Sequence, residues 1–366
     1  MPPLADRILM GAGPCNPYPE ATAALVHPVL GHLDPAFLVV LDETMERLRR
    51  VFMTSNALTL PISGTGSAGM EAAFVNLVRP GDPVVIGVNG FFGERMCEIA
   101  ARLGADVVRV EAPWGEPLDP EQLVSAHPSP AVIALVHAET STGVRNDVAA
   151  VGAAKGDAIL VADVVTSLGG IPVTVDDWGV DLAYSATQKC LGAPPGLAPL
   201  TASPRARERF VARPSSWYLD LTLLSRYVEG GGSGRVYHHT APAAMIGALN
   251  GALGALLDEG VEAAWKRHQE CGQTLQAGLE KLGFELFVPA DHRLPELTTV
   301  VVPEELSAGA GEAAVRATLL ERYDIEISGG IGQLAGKIWR IGTMGHAARP
   351  ANVHAFLGAL GELMGR

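Results

Sequence analysis

Cysteine is scarce in this sequence, with four residues among 366. The four lie far apart and form no Cys-x-x-Cys pair, at positions Cys15, Cys97, Cys190 and Cys271. This spacing predicts neither a zinc site nor a disulfide framework. The adjacent His238 and His239 have no third ligand at a suitable spacing, so we expect no metal site. A chain of this kind fits a reducing compartment.

Basic clusters and long uncharged hydrophobic runs are also missing. The net charge is −13, which argues against nucleic acid as the main partner. The most apolar stretch, residues 241–257, is interrupted by Pro242 and Asn250 and therefore predicts a packed helix rather than a membrane span. The first residues lack a signal-peptide pattern, and residues 363–366 are not a peroxisomal address, so the expected location is cytoplasmic.

Short apolar runs alternate with helical spacing through the middle of the chain. A helix is expected over residues 89–103, and strands are expected at residues 83–88, 106–110, 131–137, 158–162 and 181–185. Apolar strands separated by helices predict an α/β fold with a mainly parallel sheet and helices on both faces. Ligands of such sheets gather at the carboxyl ends of the strands.

The pattern changes near residue 241, which predicts a second, smaller α+β domain. A long helical region is expected through residue 282, followed by strands at 298–302 and 337–341 and helices at 312–323 and 351–364. The glycine-rich run at residues 229–234 predicts a flexible loop between the two parts.

One lysine and one aspartate carry the strongest chemical signal. Asp163 ends an apolar strand, and Lys189 follows a later strand 26 residues further on. Pyridoxal phosphate chemistry needs such a pair, because the amine forms a Schiff base with the cofactor and the carboxylate keeps the pyridine nitrogen protonated. A solvated lysine and a helix-capping aspartate are the alternative for the pair taken alone.

A glycine-rich turn precedes a predicted helix, with the sequence SGTGSAG at residues 63–69. A helix N-terminus with nearby hydroxyls binds phosphate well, which makes Thr65, Gly66 and Ser67 candidate phosphate contacts. The same run matches the dinucleotide-binding pattern GxGxxG. That pattern also requires an acid about 20 residues later, but the next strand ends in GVNG, so we disfavour it.

Three further residues are candidates because they lie beside or within predicted strands. Phe92 follows a strand and could stack on a flat cofactor ring, although a core phenylalanine is the simpler interpretation. Thr140 could bond the ring oxygen of the cofactor, or its hydroxyl could satisfy the turn. Arg340 lies inside an apolar strand, where it needs either a substrate carboxylate or a structural salt bridge.

These motifs closely resemble class V aminotransferases of the alanine–glyoxylate, serine–pyruvate and serine–glyoxylate group, which have fold type I. The resemblance covers nearly the whole chain, through residues 10–16, 58–69, 139–143, 162–170, 185–196, 237–240 and 325–342. It implies a seven-stranded sheet in a large cofactor-binding domain at residues 21–240. It also implies an arm at 1–20 that contributes to the active site and a linking helix with a small domain at 241–366.

The resemblance also implies a role for each candidate residue. Lys189 would be the Schiff-base lysine and proton shuttle, and Asp163 the partner of the pyridinium nitrogen. The other implied cofactor contacts are Thr65, Gly66, Ser67, Phe92, Thr140, Val165, Gln188 and, across a homodimer with shared sites, Tyr237 and Thr240. The implied substrate contacts are Gly11, Thr140 and Arg340.

The activity implied is ping-pong transamination of alanine or serine with glyoxylate or pyruvate. Two departures leave the substrate preference open: Phe92 replaces a frequent tryptophan, and Ser67 replaces the histidine of some members. The alternatives are a lyase or pyridoxamine–pyruvate transaminase on the same scaffold, or a non-catalytic cofactor-binding protein. A cysteine desulfurase fits poorly, because Cys271 is expected within a helix.

Overall fold

The structure is a computed structural model and describes residues 6–229, 234–307 and 311–365. Its strands are β1 (Ile8–Leu9), β2 (Leu58–Ser63), β3 (Pro83–Val88), β4 (Asp106–Glu111), β5 (Val132–Val136), β6 (Ala138–Glu139), β7 (Val144–Arg145), β8 (Ile159–Asp163), β9 (Leu182–Tyr184), β10 (Leu197–Ala202), β11 (Leu297–Val301), β12 (Ile325–Glu326), β13 (Ser328–Gly329) and β14 (Ile338–Gly342). The strands expected from the sequence are therefore confirmed within one or two residues at their ends.

The α-helices lie between these strands and along the C-terminal part. They are α1 (Pro19–Leu25), α2 (Pro35–Phe52), α3 (Gly66–Leu77), α4 (Phe91–Arg102), α5 (Pro120–Ser125), α6 (Val148–Ala154), α7 (Pro204–Glu208), α8 (Leu221–Val228), α9 (Ala243–Glu259), α10 (Val261–Lys281), α11 (Glu304–Ser307), α12 (Gly311–Tyr323) and α13 (Pro350–Met364). Short 3₁₀ turns occur at Ala290–His292, Gly332–Leu334 and Gly345–Ala347.

A seven-stranded sheet forms the centre of the large domain, in the order β2-β10-β9-β8-β5-β3-β4. Strand β10 is antiparallel to both of its neighbours, and the remaining pairs are parallel. Every residue of β5 and β8 is buried, as expected for strands covered by helices on both faces. The mainly parallel α/β architecture expected from the sequence is confirmed.

The long helical region expected from residue 241 to residue 282 is two helices rather than one. Helix α9 ends at Glu259 and α10 begins at Val261, with Gly260 between them at a φ of +92°. This left-handed conformation ends the first helix, and glycine adopts it without a steric cost. The sequence pattern missed the break because a single residue, Gly260, separates the two helices.

A three-stranded antiparallel sheet, β11-β14-β13, forms the smaller C-terminal unit. Its own apolar core includes Trp339, Ile341 and Phe356. The N-terminal arm joins this unit, because β1 pairs in parallel with β12. The proposed domain bounds stay a prediction, and parts of two earlier expectations, residues 1–5 of the arm and 230–233 of the loop, lie outside the described residues.

Candidate active site

A cavity of about 280 Å³ opens at the carboxyl edge of the large sheet. Nine of the residues expected at the site line it, namely Thr65, Gly66, Ser67, Phe92, Thr140, Asp163, Val165, Gln188 and Lys189. They come from separate stretches of the chain, which parallel strands bring together because their carboxyl ends share an edge. The individual roles of these residues remain predictions.

Lys189 lies almost buried at one side of this cavity, with 8% of its surface exposed. Its Nζ atom donates a hydrogen bond to the main-chain carbonyl of Ala12 in the N-terminal arm. Burial, reinforced by the positive charge of Arg340, lowers the pKa of Lys189 to about 8. A lysine of this pKa is partly neutral near physiological pH, and the neutral amine is the nucleophile and the base.

Asp163 ends strand β8 and is 3% exposed. Its Oδ1 atom accepts a hydrogen bond from the Val165 N–H at 2.9 Å. Burial raises the pKa of this carboxyl to about 7. Asp163 forms no salt bridge within the described part of the chain. A cationic ring nitrogen would give this buried carboxylate the partner it needs.

The N-terminus of helix α3 forms one wall of the cavity. Thr65 precedes the helix and makes no side-chain cap, so this helix end is not capped by its own N-terminal residue. At Gly66, a Cβ atom would lie 3.1 Å from both Val165 Cγ2 and Ala186 Cβ, so the tight packing favours glycine. Nearby, the buried Oε1 atom of Gln188 has no hydrogen-bond partner among the described residues. The open N–H groups of this helix end fit an anionic group, whereas the Gln188 oxygen is an acceptor and fits a donor.

Phe92 and Thr140 lie close to this wall and are held by neighbouring polar groups. The Phe92 N–H donates to Glu139 Oε2 at 3.2 Å, which fixes the start of helix α4. The hydroxyls of Thr140 and Thr166 are 2.7 Å apart, so one donates to the other. The Arg95 guanidinium carbon lies 4.9 Å from the centre of the Phe92 ring.

Arg340 lies in strand β14, beside the cavity rather than along its lining. Its Nε atom donates to the Gly329 carbonyl at 2.9 Å and its Nη1 atom to the Thr140 carbonyl at 3.1 Å. The alternative interpretation, a structural salt bridge, finds no carboxylate partner for Arg340 in the described residues. Burial lowers the pKa of Arg340 to about 10. This cation is therefore available to an external carboxylate.

Besides Arg340, three expected site residues do not line the cavity. Gly11 lies against the small unit, where a Cβ atom would meet Ser328 Oγ at 2.7 Å. Thr240 is exposed, and Tyr237 is 55% exposed with its ring 5.2 Å from that of His32. These two side chains are thus separate from the cavity of their own chain.

The structure adds cavity residues that sequence reasoning missed: Gly13, Pro14, Met70, Arg95, Val136 and Pro195. Arg95 could have been found, because it stands three residues after Phe92 on the same helix and such residues share a face. Gly13 lies within the N-terminal motif at residues 10–16, but no local pattern places that motif beside Lys189.

Comparison with known proteins agrees with this arrangement. The family model described as aminotransferase class-V matches residues 14–344. An alanine–glyoxylate aminotransferase from Drosophila melanogaster is 38% identical, covering 98% of this chain and 92% of the relative. An (S)-ureidoglycine–glyoxylate transaminase from Bacillus subtilis is 37% identical over 97% of this chain and 89% of the relative. A crystal structure of alanine–glyoxylate aminotransferase from Nostoc sp. is 46% identical, with a TM-score of 0.94, covering 100% of this chain and 96% of that one.

The chain belongs to the class V aminotransferases, and its fold is that of the fold-type I group. This class confirms the family and the type of enzyme expected from the sequence. The family implies pyridoxal phosphate as the cofactor, and the buried lysine, the buried aspartate and the open helix end fit that group. None of the described helices is long and apolar enough to cross a membrane.

Proposed function

We propose that this chain transfers the amino group of a small L-amino acid, alanine or serine, to a 2-oxo acid, glyoxylate or pyruvate. The observation that carries the proposal is a buried amine, Lys189, and a buried carboxylate, Asp163, on one cavity. Both relatives above are named for transamination with glyoxylate, one with alanine and one with ureidoglycine as donor. Their names do not favour the lyase, pyridoxamine or non-catalytic alternatives.

Each expected residue at or beside the cavity has a part in this reaction. When bound, pyridoxal phosphate supplies a carbon that accepts amines and a ring that stabilises negative charge. Lys189 Nζ moves the proton that leaves the α-carbon of the amino acid, and Asp163 holds the proton on the ring nitrogen. The N-terminus of α3 and the side-chain amide of Gln188 would hold the phosphate, Phe92 and Val165 would face the ring, and Thr140 would bond its oxygen, since all of them line the cavity. Arg340 orients the substrate carboxylate through its planar guanidinium.

A ping-pong mechanism gives a direct test, because each half-reaction occurs without the other substrate. The visible absorbance of the cofactor-loaded protein is recorded while single amino acids are added without an oxo acid. Alanine or serine is expected to change the visible absorbance of the bound cofactor. Glyoxylate or pyruvate, added afterwards, is expected to restore the original spectrum. A spectrum that no amino acid changes would contradict amino-acid transamination.

The variant Lys189→Ala tests the role of the amine. It is expected to lose turnover, because no other amine lines the cavity in the described part of the chain. Lys281→Ala is the matched control, since Lys281 lies exposed at the end of α10. Near-normal turnover of Lys189→Ala would remove Lys189 from the mechanism.

We also propose a homodimer in which Tyr237 and Thr240 reach the partner's phosphate. Ten exposed apolar side chains support an interface that includes Tyr237: Leu25, Val26, Val29, Leu30, Leu33, Val39, Trp217, Tyr218, Val236 and Tyr237. Ultracentrifugation is expected to give the mass of a dimer. Mixing Lys189→Ala with a Tyr237→Ala/Thr240→Ala variant is expected to regain activity, since one site of each hybrid carries neither defect. A monomer, or no regain, would contradict shared sites.

A cytoplasmic location completes the proposal. It is supported by four buried cysteines that form no disulfide in the structure. Cell fractionation with an antibody to the chain tests it, and recovery in an oxidising compartment would contradict it.

A further inference from the structure

Arg95 is a cation of the cavity that the proposed reaction does not use. It lies half-buried on helix α4, and its side chain lines the same cavity as Lys189 and Ser67. Other arginines near this helix are ion-paired, as Arg109 is with Glu94 at 2.8 Å and Arg102 with Glu98 at 2.7 Å. Arg95 forms no salt bridge within residues 6–229, 234–307 and 311–365. A cation without a carboxylate in a cavity is available to an anionic ligand.

The direct polar partner of Arg95 is the hydroxyl of Ser67 in the first turn of helix α3. Arg95 Nη1 donates to Ser67 Oγ at 2.9 Å. Because the oxygen is then an acceptor from Arg95, the hydroxyl hydrogen of Ser67 is left to donate to a second group. The open N-terminus of the same helix favours an anion at this position.

Two aromatic rings fix the direction of the Arg95 side chain. The guanidinium carbon lies 4.9 Å from the centre of the Phe92 ring and 5.2 Å from that of Phe91. Cation–π contacts of this length hold a planar guanidinium over a ring. Arg95 is thus held between the expected ring-stacking residue and the expected phosphate contact.

We propose that Arg95 gives this cavity its preference for a phosphorylated cofactor. Its guanidinium keeps the Ser67 hydroxyl in a donor orientation toward the phosphate and places a positive charge beside it. This inference rests on the proposed function, since it takes pyridoxal phosphate as the ligand. Arg95 is a positioning residue that acts through Ser67 and through its charge.

The test compares two ligands that differ only in the phosphate. Dissociation constants for pyridoxal phosphate and for pyridoxal are measured by calorimetry on the cofactor-free, full-length protein. In Arg95→Gln the constant for pyridoxal phosphate is expected to rise about tenfold to hundredfold, the range for loss of a charged hydrogen bond. The constant for pyridoxal is expected to change by less than about threefold, because pyridoxal presents no phosphate to the missing charge.

Three further variants make the result specific. Arg95→Lys, which keeps the charge, is expected to recover part of the phosphate preference. Arg102→Gln is the control, since Arg102 lies exposed on the same helix. The double variant Ser67→Ala/Arg95→Gln is expected to lose less binding free energy for pyridoxal phosphate than the sum of the losses in the two single variants. The reason is that both substitutions act on one hydroxyl. Thermal unfolding of the cofactor-free variants verifies that each is folded.

The outcomes separate this inference from the proposed function. If Arg95→Gln weakened the binding of pyridoxal phosphate and of pyridoxal equally, the inference would be overturned, because Arg95 would then act only on the ring site or the fold. If Arg95→Gln left the dissociation constant for pyridoxal phosphate unchanged and the protein were an active transaminase, the inference would also be overturned and the proposed function would stand. Phosphate preference that depends on Arg95 in a protein without transaminase activity would support the inference and contradict the proposed function. Absence of any pyridoxal phosphate binding would overturn both.

Discussion

Arg340 donates a hydrogen bond from Nη1 to the main-chain carbonyl of Thr140 at 3.1 Å. This contact joins strand β14 of the small unit to the turn between β6 and β7. A second contact runs in parallel, from Thr299 Oγ1 to the Thr142 carbonyl at 2.8 Å. The position of the predicted carboxylate-binding cation is therefore set from both units of the chain.

The variant Arg340→Lys tests that cation. Lysine keeps a charge but loses the planar fork that grips a carboxylate and holds the Thr140 carbonyl. The KM for the amino acid is expected to rise about tenfold to hundredfold, with the absorbance of the bound cofactor unchanged. Steady-state kinetics measure this, with exposed Arg322→Lys as the control. An unaltered KM would refute the carboxylate assignment.

Gly13→Ala is expected to disturb Lys189 directly. Gly13 has a φ of +99°, which disfavours any side chain, and a Cβ atom there would lie 2.7 Å from Lys189 Nζ. We expect lower turnover and a loss of about 1–3 kcal/mol in the free energy of unfolding. Gly358→Ala is the control, because its Cβ would enter open space within helix α13. Denaturant unfolding and turnover should both distinguish the two variants, and equal behaviour would contradict the close approach.

The variant Asp163→Asn is expected to fold normally and to lose catalytic activity. Asparagine can still accept from the Val165 N–H, but it carries no charge to hold a proton on the ring nitrogen. We expect kcat to fall by about a hundredfold or more while the protein still binds the cofactor, since an acid–base contribution of this size is typical. Turnover at saturating cofactor measures the effect. A kcat near that of the unaltered protein would exclude Asp163 from the reaction.

We predict that Glu296 contributes to the pH dependence of the stability of the protein. Both carboxylate oxygens are buried without a hydrogen-bond partner among the described residues, and burial raises the pKa of Glu296 from 4.5 to about 8. Between these values the folded state keeps a proton that the unfolded state releases. The contribution of Glu296 to stability therefore falls as pH rises from about 4.5 to 8.

Glu296→Gln removes this titration. The variant is expected to be more stable than the unaltered protein at pH 8.5, by on the order of 2–4 kcal/mol, and similar at pH 5. Denaturant midpoints at both pH values, without cofactor, measure the difference. Exposed Glu71→Gln is the control. A gain of the same size at both pH values would show that the charge of Glu296 is not the cause.

Local sequence patterns were enough to predict the secondary-structure elements and the main candidate residues of the site. Buried strands such as β5 and β8 are continuous apolar runs, so they can be recognised from the local sequence. The end of β8 at Asp163 and the glycine turn before α3 are local patterns as well. Because parallel strands end at a common edge, these patterns also implied that Asp163, Lys189 and the turn meet.

The contacts that connect distant parts of the chain could be seen only in the folded structure. Arg340 and Thr140 are 200 residues apart, and Lys189 and Ala12 are 177 residues apart. No periodicity predicts such pairs, because packing of the small unit and the N-terminal arm against the sheet brings them together. The same holds for Glu296, whose buried position depends on neighbours that only the folded chain supplies. A sequence pattern reports the residue types near one position, whereas burial and pairing are properties of the whole fold.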